Sequence, residues 1–418
     1  MKQEISKDRS SVLKTMLPAL TVGAAALALA AVLSTGSAGM PALFVGPLLL
    51  LLALPALALA ASGAIVLHRL RRAELGATDL FLESNEGRRE AALERPGGFR
   101  SGPLRRLAAR AMLGHDFLVG DAVEIRSVEE IQATLDERGC LHGMPFQPEM
   151  VRFCGRQGQV FRSIDKIYDY GRTRLMRRLR GCVLVSGLRC DGADHAGCEA
   201  RCYMIWKTEW LRRPGERPAA VGHGASTAPT RVTERAADGV ARERFLCQFT
   251  ELHAASKPMG PREIGKELRP LVAGNVTLRT WIVGLATRYF NFVQQWRGGT
   301  GFPALPRVDK ESSSLVAEPL VPGDKVVVRP IVEIASTLND KGKHRGLWFD
   351  PDQIKHCGKP RTVLARVDRI IDDAHGQMLT MKTPCILLEG VDYSGEVLNF
   401  NAQQDLFFWR EAWLEKKS

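Results

Sequence analysis

The sequence predicts an α+β protein: an N-terminal transmembrane helical hairpin, then two repeats of a small, mostly antiparallel β-barrel domain, each closed by a C-terminal helix and joined by a helical linker. Three observations carry that expectation. Two uncharged apolar runs open the chain, one long stretch occurs twice in register, and the segment between the copies has apolar residues at helical spacing.

The apolar runs are Met16 to Ser34 and Pro41 to Leu67, each long enough to cross a hydrocarbon core of roughly 30 Å as a helix. The helix-breaking link Thr35-Gly36-Ser37-Ala38-Gly39 makes them a hairpin. Lys2, Lys7, Arg9 and Lys14 flank the first run, and Arg69, Arg71 and Arg72 the second. Positive charge stays inside, which predicts a two-span inner-membrane protein with a cytoplasmic body; the alternative is a cleaved signal peptide and one span. The net charge of +12 favours anionic partners, with the lipid bilayer first. Nine cysteines, an odd number, fit a reducing compartment and point to metal ligands or core thiols rather than a disulfide framework.

The repeat organises the rest. Gly120 to Leu211 matches Gly323 to Leu414 at a constant offset without a gap. Gly120-Asp121 matches Gly323-Asp324, Cys154-Gly155 matches Cys357-Gly358, Cys182 matches Cys385, and Trp206, Trp210 and Leu211 match Trp409, Trp413 and Leu414. Chance does not hold register over such a span. Within a copy, Val123-Glu124-Ile125 and Val326-Val327-Val328 read as strands after a Gly-Asp turn, and 160–167 and 182–188 are β-rich. The tryptophans at fourfold spacing predict a closing helix. The expected barrel is SH3-like. The organisation is a hairpin at 1–72, a basic linker at 73–118, copy one at 119–213, a disordered linker at 214–242, a helical segment at 243–300, a linker at 301–322 and copy two at 323–418. The helical spacing over Thr277 to Trp296 predicts a packed helix or one lying at a membrane interface.

One cluster could carry chemistry. Cys190, His195, Cys198 and Cys202 stand as C-x4-H-x2-C-x3-C, with the last three on one face of the expected helix start. Three thiolates and an imidazole form a closed tetrahedral set, so the spacing predicts a structural zinc; an iron–sulfur cluster, whose ligands are usually all cysteine, fits less well. Core cysteines and redox thiols are the alternatives. The matching positions in copy two are Tyr393, Leu398, Asn401 and Asp405, whose polarity predicts a site near the surface. The cysteines kept in both copies, Cys154, Cys357, Cys182 and Cys385, read as buried structural thiols.

Copy one also carries Arg172, Arg174, Arg177, Arg178 and Arg180, read as a solvated hairpin or a contact for anionic lipid. The run lacks interleaved aromatics and no nucleic-acid-binding signature accompanies it, which argues against nucleic acid. No phosphate-binding loop, dinucleotide fingerprint, nucleophile elbow or His-Glu-x-x-His occurs. Asp165 and Asp169, with Asp368 and Asp372, are candidate paired carboxylates, or else they orient turns.

The stretches Gly143-Met144-Pro145-Phe146 through Phe153-Cys154-Gly155, Arg189-Cys190-Asp191-Gly192 through Cys202, and Gly346-Leu347-Trp348-Phe349 through Trp413-Leu414 resemble an uncharacterised bacterial family of membrane-anchored tandem-repeat proteins. Such proteins look like accessory members of biosynthetic gene sets, so the resemblance implies architecture and no established activity. The expected function is a scaffold holding partner proteins, with copy one stabilised by zinc. The competing expectation is a metal-dependent enzyme with an open coordination position beside a pocket.

Overall fold

The structure, a computed structural model, describes residue 64 and residues 102–218, 224–235, 240–260, 265–303, 305, 318–393, 395, 398–403 and 405–417. The two apolar runs expected to form the hairpin lie outside these residues, apart from residue 64. Among the described residues no helix is long and apolar enough to cross a membrane. The expected two-span, inner-membrane architecture is therefore corrected to a mixed α/β chain built on antiparallel sheets.

Helix α1 (Pro103–Leu113) starts on a proline, which suits a first-turn position with no hydrogen-bonding duty, and stops at Gly114, φ 81°. Copy one then lays down β1 (Ala122–Ile125) and the short helix α2 (Val128–Gln132). Ser127 and Glu130 cap α2 reciprocally, side chain to backbone at each end of the pair. A two-residue ladder follows, β2 (Cys140–Leu141) with β3 (Met144–Pro145), and then a 3-10 turn at Pro148–Phe153. The long strands β4 (Gln157–Tyr168) and β5 (Met176–Arg189) pair antiparallel. Their register slips between Val160 and Arg162 and again between Ile164 and Lys166. Such bulges bend and twist a sheet, and here they curl it.

Strand β6 (Tyr203–Lys207) lies on β5, and β7 (Leu211–Arg212) lies on β1. These are opposite edges of the curled sheet. The 3-10 turn Thr208–Trp210 joins them directly, which makes a half-barrel. Trp206 and Trp210 therefore do not sit on a helix as the sequence predicted. Tyr-Met-Ile-Trp-Lys finds its backbone partners on β5, with Val183 opposite Trp206 and Leu184 opposite Ile205. Aromatic and β-branched residues suit that pleated, fully buried surface better than a helix. Both tryptophans are fully buried, and Trp210 packs edge-on against Phe146 with its Nε1 donating to Thr134 Oγ1 at 3.1 Å.

The expected disordered linker at 214–242 is ordered over much of its length. Strands β8 (Arg231–Arg235) and β9 (Ala241–Phe245) form a hairpin. Before it, Ala228 is 1% exposed and its N–H donates to Phe146 O at 2.9 Å. Helix α3 (Leu252–Ala255) and the edge strand β10 (Lys257–Pro258), which pairs with β5, continue the cover of copy one. Helix α4 (Arg269–Ala273) ends at Gly274, φ 88°, within the segment expected to be helical at 243–300.

The described residues fall into two compact units. One holds those of 278–315 and 328–359; the other holds those of 102–277, 318–327 and 360–417. In the first unit, α5 (Leu278–Trp296) is the helix that the spacing predicted, and Asn291 brackets the Phe302 backbone with two hydrogen bonds of 2.6 Å. Copy two begins with β11 (Lys325–Val328). Its excursion, α6 (Ile331–Ser336), β12 (Lys343–His344), β13 (Leu347–Trp348) and the 3-10 turn Pro351–His356, also belongs to the first unit. In the second unit β14 (Pro360–Ile371), β15 (Met378–Leu388) and β16 (Leu414–Lys416) form a sheet in the order β15-β14-β11-β16.

The copies keep one register in space. The slips in β14 against β15 fall at Val363/Ala365 and Val367/Arg369, the positions matching those of copy one. Trp409 bridges Ile386 as Trp206 pairs with Val183. The copies also meet reciprocally. Asn401 Oδ1 accepts from Tyr168 N–H at 3.1 Å, while at the matching positions Cys198 Sγ accepts from Ile371 N–H at 3.4 Å. Arg189 Nη2 meets Asp392 Oδ1, its own counterpart, at 2.7 Å. Equivalent positions meeting one another is the signature of a two-fold axis, so the half-barrels pack as an internal pseudo-dimer.

Candidate metal centre

The site is built from a turn and a loop. The 3-10 turn at Pro148–Phe153 points Glu149 inward, 4% exposed. Strand β5 ends at Cys190, and the chain then folds back on itself, because Cys190 N–H donates to Cys202 O at 2.8 Å. Between them a second 3-10 turn, Ala193–His195, presents His195 at 1% exposure. Glycine is required at 192: its φ is 71°, and a Cβ there would lie 1.9 Å from Cys198 O.

Glu149, Cys190 and His195 bring their donor atoms within 4.8 Å of one another, a buried group able to bind a metal ion. Cys190 Sγ donates to Glu149 Oε1 at 3.1 Å. His195 Nδ1 lies 2.9 Å from the same oxygen, yet neither His195 Nδ1 nor Glu149 Oε2 has an aligned hydrogen-bond partner. Buried polar atoms are almost always satisfied, so Glu149 Oε2, left without a partner beside this ion pair, is an atom a further ligand could satisfy. The other ring nitrogen, Nε2, is held by Gln147 Nε2 at 2.9 Å and lies 3.2 Å from Leu246 O. Donation from Nε2–H to Leu246 O is the tautomer that would put the ring's lone pair on Nδ1, facing Glu149 and Cys190.

Burial works against the charge on Glu149, but His195 and Cys190 hold its carboxyl below the ordinary range. Burial likewise opposes a charged His195, and Glu149 outweighs it, raising the imidazole. Burial first, and then the Glu149 carboxylate, push the Cys190 thiol far up. These shifts favour a carboxylate paired with an imidazolium beside a protonated thiol, so a dication binding here would displace the thiol and imidazole protons.

The remaining sequence candidates are nearby but outside the trio. Cys198 and Cys202 line the same cavity of about 40 Å3, with Cys247, Gln248, Ile371 and Asp373. They do not share a helical face, because 196–202 is irregular and the chain enters β6 instead. Burial raises the Cys202 thiol well above its usual value, and burial and Asp373 push that of Cys247 up to about 12. The polar residues at the matching positions of copy two do not mark a surface: Asn401 is 1% exposed, and its Oδ1 accepts from the Tyr168 and Gln403 amides. All nine cysteines are free, and Cys182 and Cys385 are buried in the core as expected of structural thiols.

The arginine run is not one surface. Arg177 is 6% exposed and donates to Ser256 Oγ, Ser256 O and His253 O, and Arg178 faces Asp165 at 3.6 Å. Only Arg172, Arg174 and Arg180 are exposed. Asp165 and Asp169 are not a catalytic pair: Asp165 binds Arg269 at 3.0 Å, while Asp169 orders a turn through the Arg172 and Thr173 amides.

Sequence reasoning missed Glu149 and Cys247. Glu149 comes from a separate turn, and no spacing rule links it to Cys190. Comparison with known proteins returns no match among family models, curated proteins or solved structures.

Proposed function

We propose that the first half-barrel is held by a structural zinc ion and that the tandem repeat serves as a non-catalytic scaffold for partner proteins. The observation that supports the metal assignment is the convergence of three unlike donors, Glu149, Cys190 and His195, within 4.8 Å of one another, with Glu149 Oε2 buried and unpartnered beside them. A borderline-soft dication suits mixed sulfur, nitrogen and oxygen donors, whereas an iron–sulfur cluster calls for thiolates throughout. The cavity beside them supports a non-catalytic role. At about 40 Å3 it has room for an ion and a few waters, far below the roughly 300–1,000 Å3 of sites that enclose organic ligands.

Metal analysis of the full chain, purified without chelator, tests this. One equivalent of zinc is expected in the wild type and close to none in Cys190→Ser or Glu149→Gln. Equal zinc in wild type and both variants would overturn the assignment.

One observation favours a second reading, a metal-dependent hydrolytic or Lewis-acid enzyme. Three protein ligands rather than four leave a tetrahedral ion one open position, as catalytic zinc sites do. Cobalt substitution separates the two: a fourth thiolate donor, from Cys198 or Cys202, would give a closed structural spectrum, whereas an exchangeable water would favour the enzyme.

A further inference from the structure

The loop that presents the metal ligands also grips the other repeat. Beyond Cys190 and His195 it continues into Cys198 and Glu199. Cys198 Sγ accepts from Ile371 N–H at 3.4 Å. Glu199 Oε2 accepts from the Asp368 and Arg369 amides at 2.6 and 3.1 Å, and Glu199 N–H donates to Arg369 O at 3.1 Å. These contacts clasp the far end of β14. The reciprocal clasp is chemically different: there Asn401 Oδ1 receives Tyr168 N–H at 3.1 Å, and Tyr393 and Leu398 stand where copy one has Cys190 and His195.

The ligands and the clasp are mechanically joined. His195 N–H donates to Gly192 O at 3.0 Å and Cys198 N–H to His195 O at 3.2 Å. The backbone at Gly192 packs directly on that of Cys198, where a Cβ would lie 1.9 Å from Cys198 O. Cys190, His195, Cys198 and Ile371 line one cavity. Without a cation, Glu149 Oε2 is buried without a partner and the Glu149–His195 pair is shut away from solvent, and opening of the loop would return both to water. That opening also releases β14.

We propose that metal binding at Glu149, Cys190 and His195 controls the docking of the second repeat, by holding the loop at 190–199 closed on Asp368, Arg369 and Ile371. The proposal rests on the metal assignment above. A ligand that binds only the closed form suppresses opening in proportion to its saturation. At free zinc about a hundredfold above its Kd, exchange through loop opening slows by up to about a hundredfold.

The test is amide hydrogen exchange on the full chain with zinc or with chelator, alongside zinc stoichiometry. Zinc should slow exchange at Asp368, Arg369 and Ile371 and leave Tyr168, in the amide clasp, nearly unchanged. Glu199→Ala should keep its zinc and lose most of the slowing at Asp368 and Arg369. If zinc binds with no change at those amides, or slows Tyr168 equally, the coupling is refuted while the metal site stands. If Glu199→Ala keeps the full slowing, the clasp is not the route. If no zinc binds, the metal assignment itself falls.

Discussion

After β5 copy one places Gly192 at φ 71°, and after β15 copy two places Gly395 at φ 76°. A Cβ would lie 1.9 Å from Cys198 O in the first case and 2.1 Å from Asn401 O in the second. The left-handed residues that follow also correspond, Ala196 and Gly197 in copy one and Asn399 and Phe400 in copy two. Yet where copy one has Cys190 and His195, copy two has Tyr393, 6% exposed and edge-on to Phe407, and Leu398. The same loop shape thus exists with and without metal donors. The loop is a property of the half-barrel, and the donors are an addition to a frame that already closes. The counterpart of Glu149 is Asp352, fully buried and paired with Lys355 at 3.3 Å, so a fixed ammonium stands near the carboxylate there.

The largest expected effect tests the shared frame. Trp206→Ala and Trp409→Ala each empty a fully buried site, and each should cost about 3–5 kcal/mol in urea unfolding of the full chain. A loss under about 1 kcal/mol at Trp409 alone would show that the copies are not equivalent in packing. Next, Gly192→Ala and Gly395→Ala should each cost about 2–3 kcal/mol, from left-handed strain and a backbone clash. Only Gly192→Ala should also reduce bound zinc; loss of zinc in both variants would break the contrast drawn here.

The third test is pH. Burial opposes the Asp169 carboxylate, but His253, the Arg172 and Thr173 amides and the Thr173 hydroxyl hold it down at about 2. A depressed carboxyl stabilises the fold above its unfolded value near 3.9 and loses that contribution as pH falls toward 2. Asp405 of copy two is the opposite: burial pushes it up to about 6 against Arg189 and Gln403. Its contribution is complete at low pH and is lost as pH rises from about 4 through 6. Asp169→Asn should therefore destabilise at pH 7 by about 2 kcal/mol, while Asp405→Asn should stabilise there by about 1–2 kcal/mol. Stability curves at pH 4 and pH 7 check both signs. The smallest effect is at the pseudo-axis: a cycle of Arg189→Met and Asp392→Asn should yield a coupling of about 1 kcal/mol in the same assay.

The repeat was legible in the sequence because identical turns need identical glycines and identical cores need identical tryptophans. The strand register, both sets of bulges and the 3-10 turn before Leu211 follow that match. Cys190 and His195 were legible because thiol and imidazole seldom gather by chance. The closing helix was not, since tryptophans four apart fit a helix as well as a strand that breaks into a single turn. Asn401 misled for a related reason: polarity there marks a buried inter-repeat hydrogen bond, which spacing within one copy does not reveal. Glu149 depends on a turn forty residues upstream folding over Cys190, a long-range contact with no local signature.

Arg189 and Asp392 occupy one position of the repeat and touch each other. Had two identical chains paired through this surface, that position would have faced itself, arginine against arginine or aspartate against aspartate. Carrying both halves on one polypeptide removes the constraint. Each half can then change alone, so one side of a symmetric junction is free to gain a thiol and a loop able to offer metal donors while the other keeps a plain amide.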